Sequence, residues 1–178
     1  MRYCCLCISL LLTLAAYARP PSAAVQRWLP SITAHVERVY GNHDYVALHG
    51  AVVERESAGN PRAGSHAGAA GLMQIMPATF KELRQQYPGY SNKIRDPEIN
   101  LALGIRYLHR MKQEPGCDGW RKALARYNCG PGCVAKRIRR YGSNWLSHVP
   151  KETRHYVPAI LGRVPAFVAA GWPGISVC

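Results

Sequence analysis

This 178-residue chain carries ten carboxylates: Glu37, Asp44, Glu54, Glu56, Glu82, Asp96, Glu98, Glu114, Asp118 and Glu152. Asp44, Asp96 and Asp118 stand where helix N-caps are expected, and Glu37, Glu82, Glu98 and Glu114 fall on the polar faces of amphipathic segments. That leaves Glu54, Glu56 and Glu152 for chemistry. Glu56 opens the run Glu-Ser-Ala-Gly-Asn-Pro, at a point where Gly59 and Asn60-Pro61 must end a helix. A helix C-terminus repels negative charge, and apolar neighbours penalise it further, so the Glu56 pKa is expected to rise. A carboxyl raised in this way suits a general acid near neutral pH. The competing reading is a solvated glutamate at a helix end. Glu54, two positions earlier, points to another side of the helix and is expected to be exposed. No second carboxylate is therefore offered at the separation that a two-carboxylate glycosidase uses. The seven histidines are dispersed without zincin spacing, and the serines form no nucleophile elbow. No metal site and no cofactor is expected.

The elements that must position these side chains read as helices. Val25, Trp28, Leu29, Ile32, Val36 and Val39 recur at helical period with Pro30 near a helix start. Tyr45 to Ser57 is a second helix, expected to be capped by Asp44 and closed by Glu56. Arg62 to Gly71 is rich in Gly, Ala and Ser and lacks the β-branched content of a sheet, so a loop or vestigial hairpin is expected. Pro77 to Tyr87 and Pro97 to Lys112 follow, the latter with Asp96 as cap and Ile99, Leu103, Tyr107 and Met111 at spacing four. Asp118 to Asn128, Val134 to Tyr141 and Lys151 to Arg163 complete a mostly α chain, with Pro158 expected to kink the last helix.

Arg2, the apolar run Cys4 to Ala16 and the small residues Ala16 and Ala18 read as a signal peptide over 1–18, leaving 19–178 as one domain. An uncleaved anchor is the alternative, but the run is shorter than the roughly 20 residues that span a bilayer. Removing Arg2 takes the net charge from +13 to 13 − 1 = +12. So basic a chain attracts polyanions. The densest cluster, Lys136, Arg137, Arg139 and Arg140, reads as a solvated helix face, and nucleic acid is not an expected partner. Export would bring Cys117, Cys129, Cys133 and Cys178 into an oxidising compartment. A helix over Asp118 to Asn128 would hold its ends about 16 Å apart, too far for Cys117 to bridge to Cys129 or Cys133. The expected pairs are Cys129 with Cys133 and Cys117 with Cys178; a zinc site is the competing use of these cysteines.

The company of Glu56 adds a resemblance. Glu56-Ser57-Ala58-Gly59-Asn60-Pro61, then Ala63, Ser65, Gly68-Ala69 and Gly71-Leu72-Met73-Gln74-Ile75-Met76-Pro77, then Ala123-Leu124-Ala125-Arg126-Tyr127-Asn128, then Glu152-Thr153-Arg154-His155-Tyr156-Val157 follow in order and spacing. Together they resemble the soluble lytic transglycosylase (SLT) domain. The resemblance implies a lysozyme-like α fold and cleavage of the β-1,4 bond between N-acetylmuramic acid and N-acetylglucosamine in peptidoglycan, with a 1,6-anhydro product. It implies Glu56 as acid and base, Tyr156 as the residue holding that carboxylate, and Ser57, Met73, Gln74, Tyr127 and Asn128 beside the substrate. Glu152 is expected to support the fold through a basic neighbour. Cys129 stands where the family has a small residue.

A bare exported domain of this kind is similar to small wall-opening enzymes that accompany secretion, conjugation or pilus machines, so such an envelope-spanning complex is an expected partner beside the glycan strands. The location expected is the periplasm or cell wall, with no membrane span after processing. A goose-type hydrolytic lysozyme, with Asp96 as the spare carboxylate, and a non-catalytic wall-binding scaffold stay open as alternatives.

Overall fold

A computed structural model describes residues 19–175 of the chain. The expected signal peptide and Cys178 lie outside the described residues. The helices run α1 (Ala23–Gln26), α2 (Leu29–Tyr40), α3 (Val46–Ser57), α4 (Pro77–Gln86), α5 (Pro97–Met111), α6 (Gly116–Cys129), α7 (Pro131–Tyr141), a 3-10 turn (Gly142–His148), α8 (Lys151–Leu161) and α9 (Val164–Ala169). No strand occurs among the described residues. The segment after α3 makes only isolated antiparallel bridges, Gly64 with Ala70 and Ala70 with Ile75. The expected mostly α architecture with a vestigial hairpin is what forms.

Helix α3 is the central element. Every residue from Val46 to Val53 is buried, so this helix has no polar stripe until its last turn. Helices α2, α8 and α9 pack around it, and α5 and α6 close the core with Leu101, Leu103, Ile105, Leu108, Trp120 and Leu124. Only after Val53 does the helix emerge, which delivers Glu56 to the margin of the core. Pro30 sits in the first turn of α2 and Pro77 and Pro97 open α4 and α5, where a missing N–H costs nothing.

Several cap assignments differ from the sequence expectation. Asp96 does cap α5, accepting from the amides of Glu98 and Ile99 at 3.0 and 3.1 Å. Asp44 does not cap α3: Tyr45 holds that position, and the Asp44 carbonyl instead accepts from the Ile175 amide as the C-terminal segment folds back. Asp118 lies inside the first turn of α6, pairing with Lys122 at 2.7 Å, because that helix starts two residues earlier at Gly116. Glu114 is more than a surface carboxylate: it grips the buried Arg126 through two bonds of 2.8 and 2.9 Å and ties α6 to the end of α5. Pro158 falls in the last turn of α8, which ends three residues later at Leu161.

The hairpin region depends on one side chain of α5. Asn100 is fully buried; its Oδ1 accepts from the Met73 amide at 2.8 Å, and its Nδ2 donates to the carbonyls of Ala70 at 2.9 Å and Ile94 at 2.7 Å. Gly71, at φ 83°, makes room for it, since a Cβ there would stand 2.3 Å from Nδ2. The expected bridge between Cys129 and Cys133 joins α6 to α7 across Gly130–Pro131, with Cα atoms 5.9 Å apart. The pairing expected for Cys117 has its second member outside the described residues.

Asn100→Ala strands three backbone groups away from water and is expected to lower stability by about 3 kcal/mol. Urea unfolding, with hydrogen exchange at the Met73 amide, measures both the loss and its location.

Candidate active site

The last turn of α3 ends at Ser57 because Ala58 takes a left-handed conformation (φ 51°) and returns its amide to the Glu54 carbonyl. The Ser57 hydroxyl lies 2.8 Å from the Leu72 carbonyl and 3.1 Å from that of Val53, donating between them, and accepts from the Gly59 amide at 3.2 Å. Its hydrogen bonds hold the hairpin to the helix end. The Gly59 carbonyl is held from the N-terminal side by Arg27 Nη2 and Trp28 Nε1, each at 2.9 Å. A Cβ at Gly59 would lie 2.3 Å from the Ala24 carbonyl, so α1 sits directly on this elbow.

Glu56 leaves this elbow half-buried, and Tyr156 of α8, itself buried, donates its hydroxyl to Glu56 Oε1 at 2.5 Å. Burial is the largest influence on the carboxyl and pushes it up to about 7. The Tyr156 hydrogen bond and Arg55 pull the other way, and the Glu152 charge adds to the rise. Burial likewise drives the Tyr156 and Tyr127 hydroxyls far upward, so both stay protonated donors.

Glu54 meets the opposite surroundings. Rather than being exposed it is 15 % accessible, held by Arg163 through Nε at 2.5 Å and Nη2 at 3.0 Å, with Arg19 at 3.9 Å. Its direction along the helix is as expected, but α8 is followed immediately by a cation that covers it.

Tyr127 of α6 donates to the Met73 carbonyl at 2.6 Å, fixing the hairpin's second arm from the opposite wall. Met73 itself is fully buried, and its side chain packs on Gly104, where an added Cβ would come within 2.5 Å of its sulfur. The side chain therefore does not line a groove; the backbone carbonyl is its contribution. The methionine that faces outward is Met76, 41 % exposed beyond the bridge to Ile75. Gln74 adopts φ 46° and donates its amide to the Gly71 carbonyl at 2.9 Å. Gln74, Met76, Thr79, Tyr107 and Tyr127 line a recess of about 50 Å³.

Asn128 is bound into the scaffold. Its amide donates to Glu152 Oε1 at 3.0 Å and its oxygen accepts from Thr153 Oγ1 at 2.6 Å, joining the end of α6 to the start of α8. Glu152 thus has an amide partner where a basic one was expected, because Asn128 reaches the first turn of α8 before any cation does. The arrangement brings Glu56, Tyr156, Tyr127 and the Met73–Gln74 backbone together, while Ser57 and Asn128 fasten the pieces that carry them.

The fold defines the class first. It matches lytic transglycosylase Slt from Pseudomonas aeruginosa, solved as an inactive glutamate-to-glutamine mutant, with a TM-score of 0.68 and 27 % identity over 84 % of this chain and 25 % of that one. It also matches the 70 kDa soluble lytic transglycosylase from Escherichia coli, at a TM-score of 0.66 and 31 % identity over 79 % of this chain and 24 % of that one. The transglycosylase SLT domain model matches residues 39–147, more than half of the chain, and the chain belongs to that family. Among curated relatives, soluble lytic murein transglycosylase of Escherichia coli K12 is 37 % identical over 62 % of this chain and 19 % of its own length. Membrane-bound lytic murein transglycosylase D of the same strain is 31 % identical over 60 % and 25 %. The chain thus spans about a fifth to a quarter of these relatives.

Because the folded carboxyl sits near 7 and the unfolded one near 4.5, ionising Glu56 weakens the native state as pH rises between those values. Glu56→Gln is expected to match the wild type near pH 4 and to exceed it at pH 8 by about 1–3 kcal/mol, which paired denaturant titrations at the two pH values measure.

Proposed function

We propose that this domain is a peptidoglycan lytic transglycosylase that uses Glu56 as its single acid and base. The observation that carries the reading is a carboxyl at about 7, half-buried and gripped by Tyr156, in a chain of the SLT family. Near neutral pH such a group holds its proton in part of the population and can also accept one, as a residue that changes role within a cycle must. Glu56 first protonates the glycosidic oxygen as the bond from C1 of N-acetylmuramic acid breaks. The resulting carboxylate then takes the proton from the muramoyl O6 hydroxyl as that oxygen attacks C1. The products are a 1,6-anhydro end and a free N-acetylglucosamine end, with no water consumed. Tyr156 positions the carboxylate through both states, its hydroxyl donating to the same oxygen. Gln74, Met76 and Tyr127 border the glycan.

The surroundings of the other carboxylates support this reading over a hydrolytic lysozyme. Asp96 accepts two backbone amides as the cap of α5, Glu54 is gripped by Arg163, and Glu152 is bound by Asn128. Asp96 and Glu54 are thereby taken up within the fold, and Glu152 has one oxygen engaged by the Asn128 amide. Export to the periplasm, cleavage after residue 18 and a place beside an envelope-spanning secretion, conjugation or pilus machine belong to the same proposal. No helix among the described residues is long and apolar enough to cross a membrane.

Mass spectrometry of muropeptides released from purified peptidoglycan is the deciding measurement. The wild type should yield anhydro-muramoyl ends, and Glu56→Gln should lower their rate by about 10³-fold, within the range for loss of a general acid and base. Reducing ends would assign a hydrolase, and binding without release would assign a scaffold. In the pH profile, kcat/KM should fall above about pH 7 as Glu56 loses its proton. Tyr156→Phe removes the hydrogen bond that holds the Glu56 pKa down, so that limb should move to higher pH while kcat declines.

A further inference from the structure

Between Asp118 and Glu152 the chain holds eight Lys and Arg residues and no carboxylate. Lys122 and Arg126 of α6 are taken up by Asp118 and Glu114. The cations of α7 and of the start of α8 are not. Lys136, Arg137, Arg139, Arg140, Lys151 and Arg154 form no ion pair among the described residues. Contacts around the 3-10 turn gather three of these arginines. Arg137 Nε donates to the His148 carbonyl at 2.7 Å, and Arg154 Nη1 donates to the adjacent Ser147 carbonyl at 3.1 Å. The His148 ring stacks on Tyr141 with centroids 3.6 Å apart, and the Arg140 guanidinium lies 5.4 Å from the Tyr141 centroid. Lys136, Arg139 and Arg140 stand exposed on the outer side of α7, whose inner side buries Val134. One cationic surface is thus shared by α7, the turn and α8.

What this face presents narrows its partner. A protein interface is built around an apolar core. Here Val134, Trp145 and Val149 are all buried, and the exposed large apolar residues, Met76, Val168 and Ile175, belong to other segments. Single-stranded nucleic acid is held by aromatic rings open to its bases. The ring of Tyr141 is instead occupied by His148. What the face offers is charge spread over long side chains, which suits a surface of many anionic head groups better than one shaped ligand.

We propose that this face docks the domain on a membrane surface rich in anionic phospholipid. The choice of lipid over other polyanions rests on the export proposed above. Arg154 lies roughly 200° around α8 from Tyr156, whose hydroxyl reaches Glu56, so the docking face is turned away from the catalytic carboxyl. Docking holds the domain at the envelope and leaves Glu56 open to glycan.

The test is co-sedimentation with phosphatidylcholine vesicles, pure or with about 30 % phosphatidylglycerol, the latter expected to bind at about 0.1 M salt and to release the protein toward 1 M. The triple variant Lys136→Gln, Arg139→Gln, Arg140→Gln should weaken that binding about 100-fold, since each cation beside an anionic bilayer contributes about fivefold. A control of equal charge, Arg38→Gln, Arg62→Gln, Lys93→Gln, removes exposed cations elsewhere and should cost less than about fivefold. The first triple variant should release muropeptides from isolated peptidoglycan at the wild-type rate. Equal binding to pure phosphatidylcholine, an equal loss in the control, or slowed muropeptide release by the first variant would overturn the proposal. So would duplex DNA or an acidic peptide whose binding falls more steeply than that of the vesicles when the same three residues are replaced. Should vesicle binding follow this face while the wild type yields no anhydro ends, the catalytic reading fails and the docking face stands.

Discussion

The carboxamide of Asn100 is the interaction on which the site's geometry rests. A hairpin with two isolated bridges cannot order itself in water, because it buries too little and pairs too few backbone groups. Asn100 supplies from α5 one acceptor, for the Met73 amide, and one donor, to the Ala70 carbonyl, in place of the missing strands, and its second donor ties in the Ile94 carbonyl. With the Met73 amide fixed, the Met73 carbonyl can meet Tyr127, and with Leu72 fixed, its carbonyl can meet Ser57. One buried polar side chain thereby joins the end of α3, the hairpin and α6 into a single rigid frame. It is tolerated in the core only because every one of its hydrogen-bonding partners is at hand.

Within that frame, two glutamates two residues apart along α3 are given contrasting surroundings. Glu54 faces Arg163 and is bound as an ion pair. Glu56 is buried against a tyrosine hydroxyl, which offers a hydrogen bond without a full compensating charge. The difference arises from the helical turn between them and from what α8 and the residue after it present at each height. The elevated carboxyl is thus a consequence of where the helix leaves the core, and the tyrosine moderates it.

Much of this was legible in the sequence, and the failures share a cause. Helix positions, the Asp96 cap, the stop at Ala58 to Pro61 and the lack of strands follow from local rules of period, proline and glycine. Glu56 was legible because its helix had to end there. Exposure of Glu54, the capping by Asp44 and the place of the Met73 side chain beside the substrate were misjudged because each depends on a segment distant in the chain: Arg163, the returning C-terminal segment near Ile175, and Gly104. Asn100 left a trace, a polar residue within the apolar face of α5, but its hairpin partners at Ala70 and Met73 are far back in the chain and leave no local pattern. Asn128 and Ser57 sit in the right motifs, yet their hydrogen bonds are used within the protein, a distinction that only geometry makes.

The seating of α1 against Gly59 has a mechanical meaning. Three groups, the Arg27 guanidinium, the Trp28 indole and the Ala24 backbone, converge on one peptide just past the helix that carries Glu56. Chain arriving at Ala23 from the N-terminal side is therefore in series with the elbow, through contacts that bypass most of the hydrophobic core. Any displacement of α1 is transmitted first to Ala58 and Gly59, so the seating of residues 23–28 becomes part of how firmly the Glu56 carboxylate is aimed.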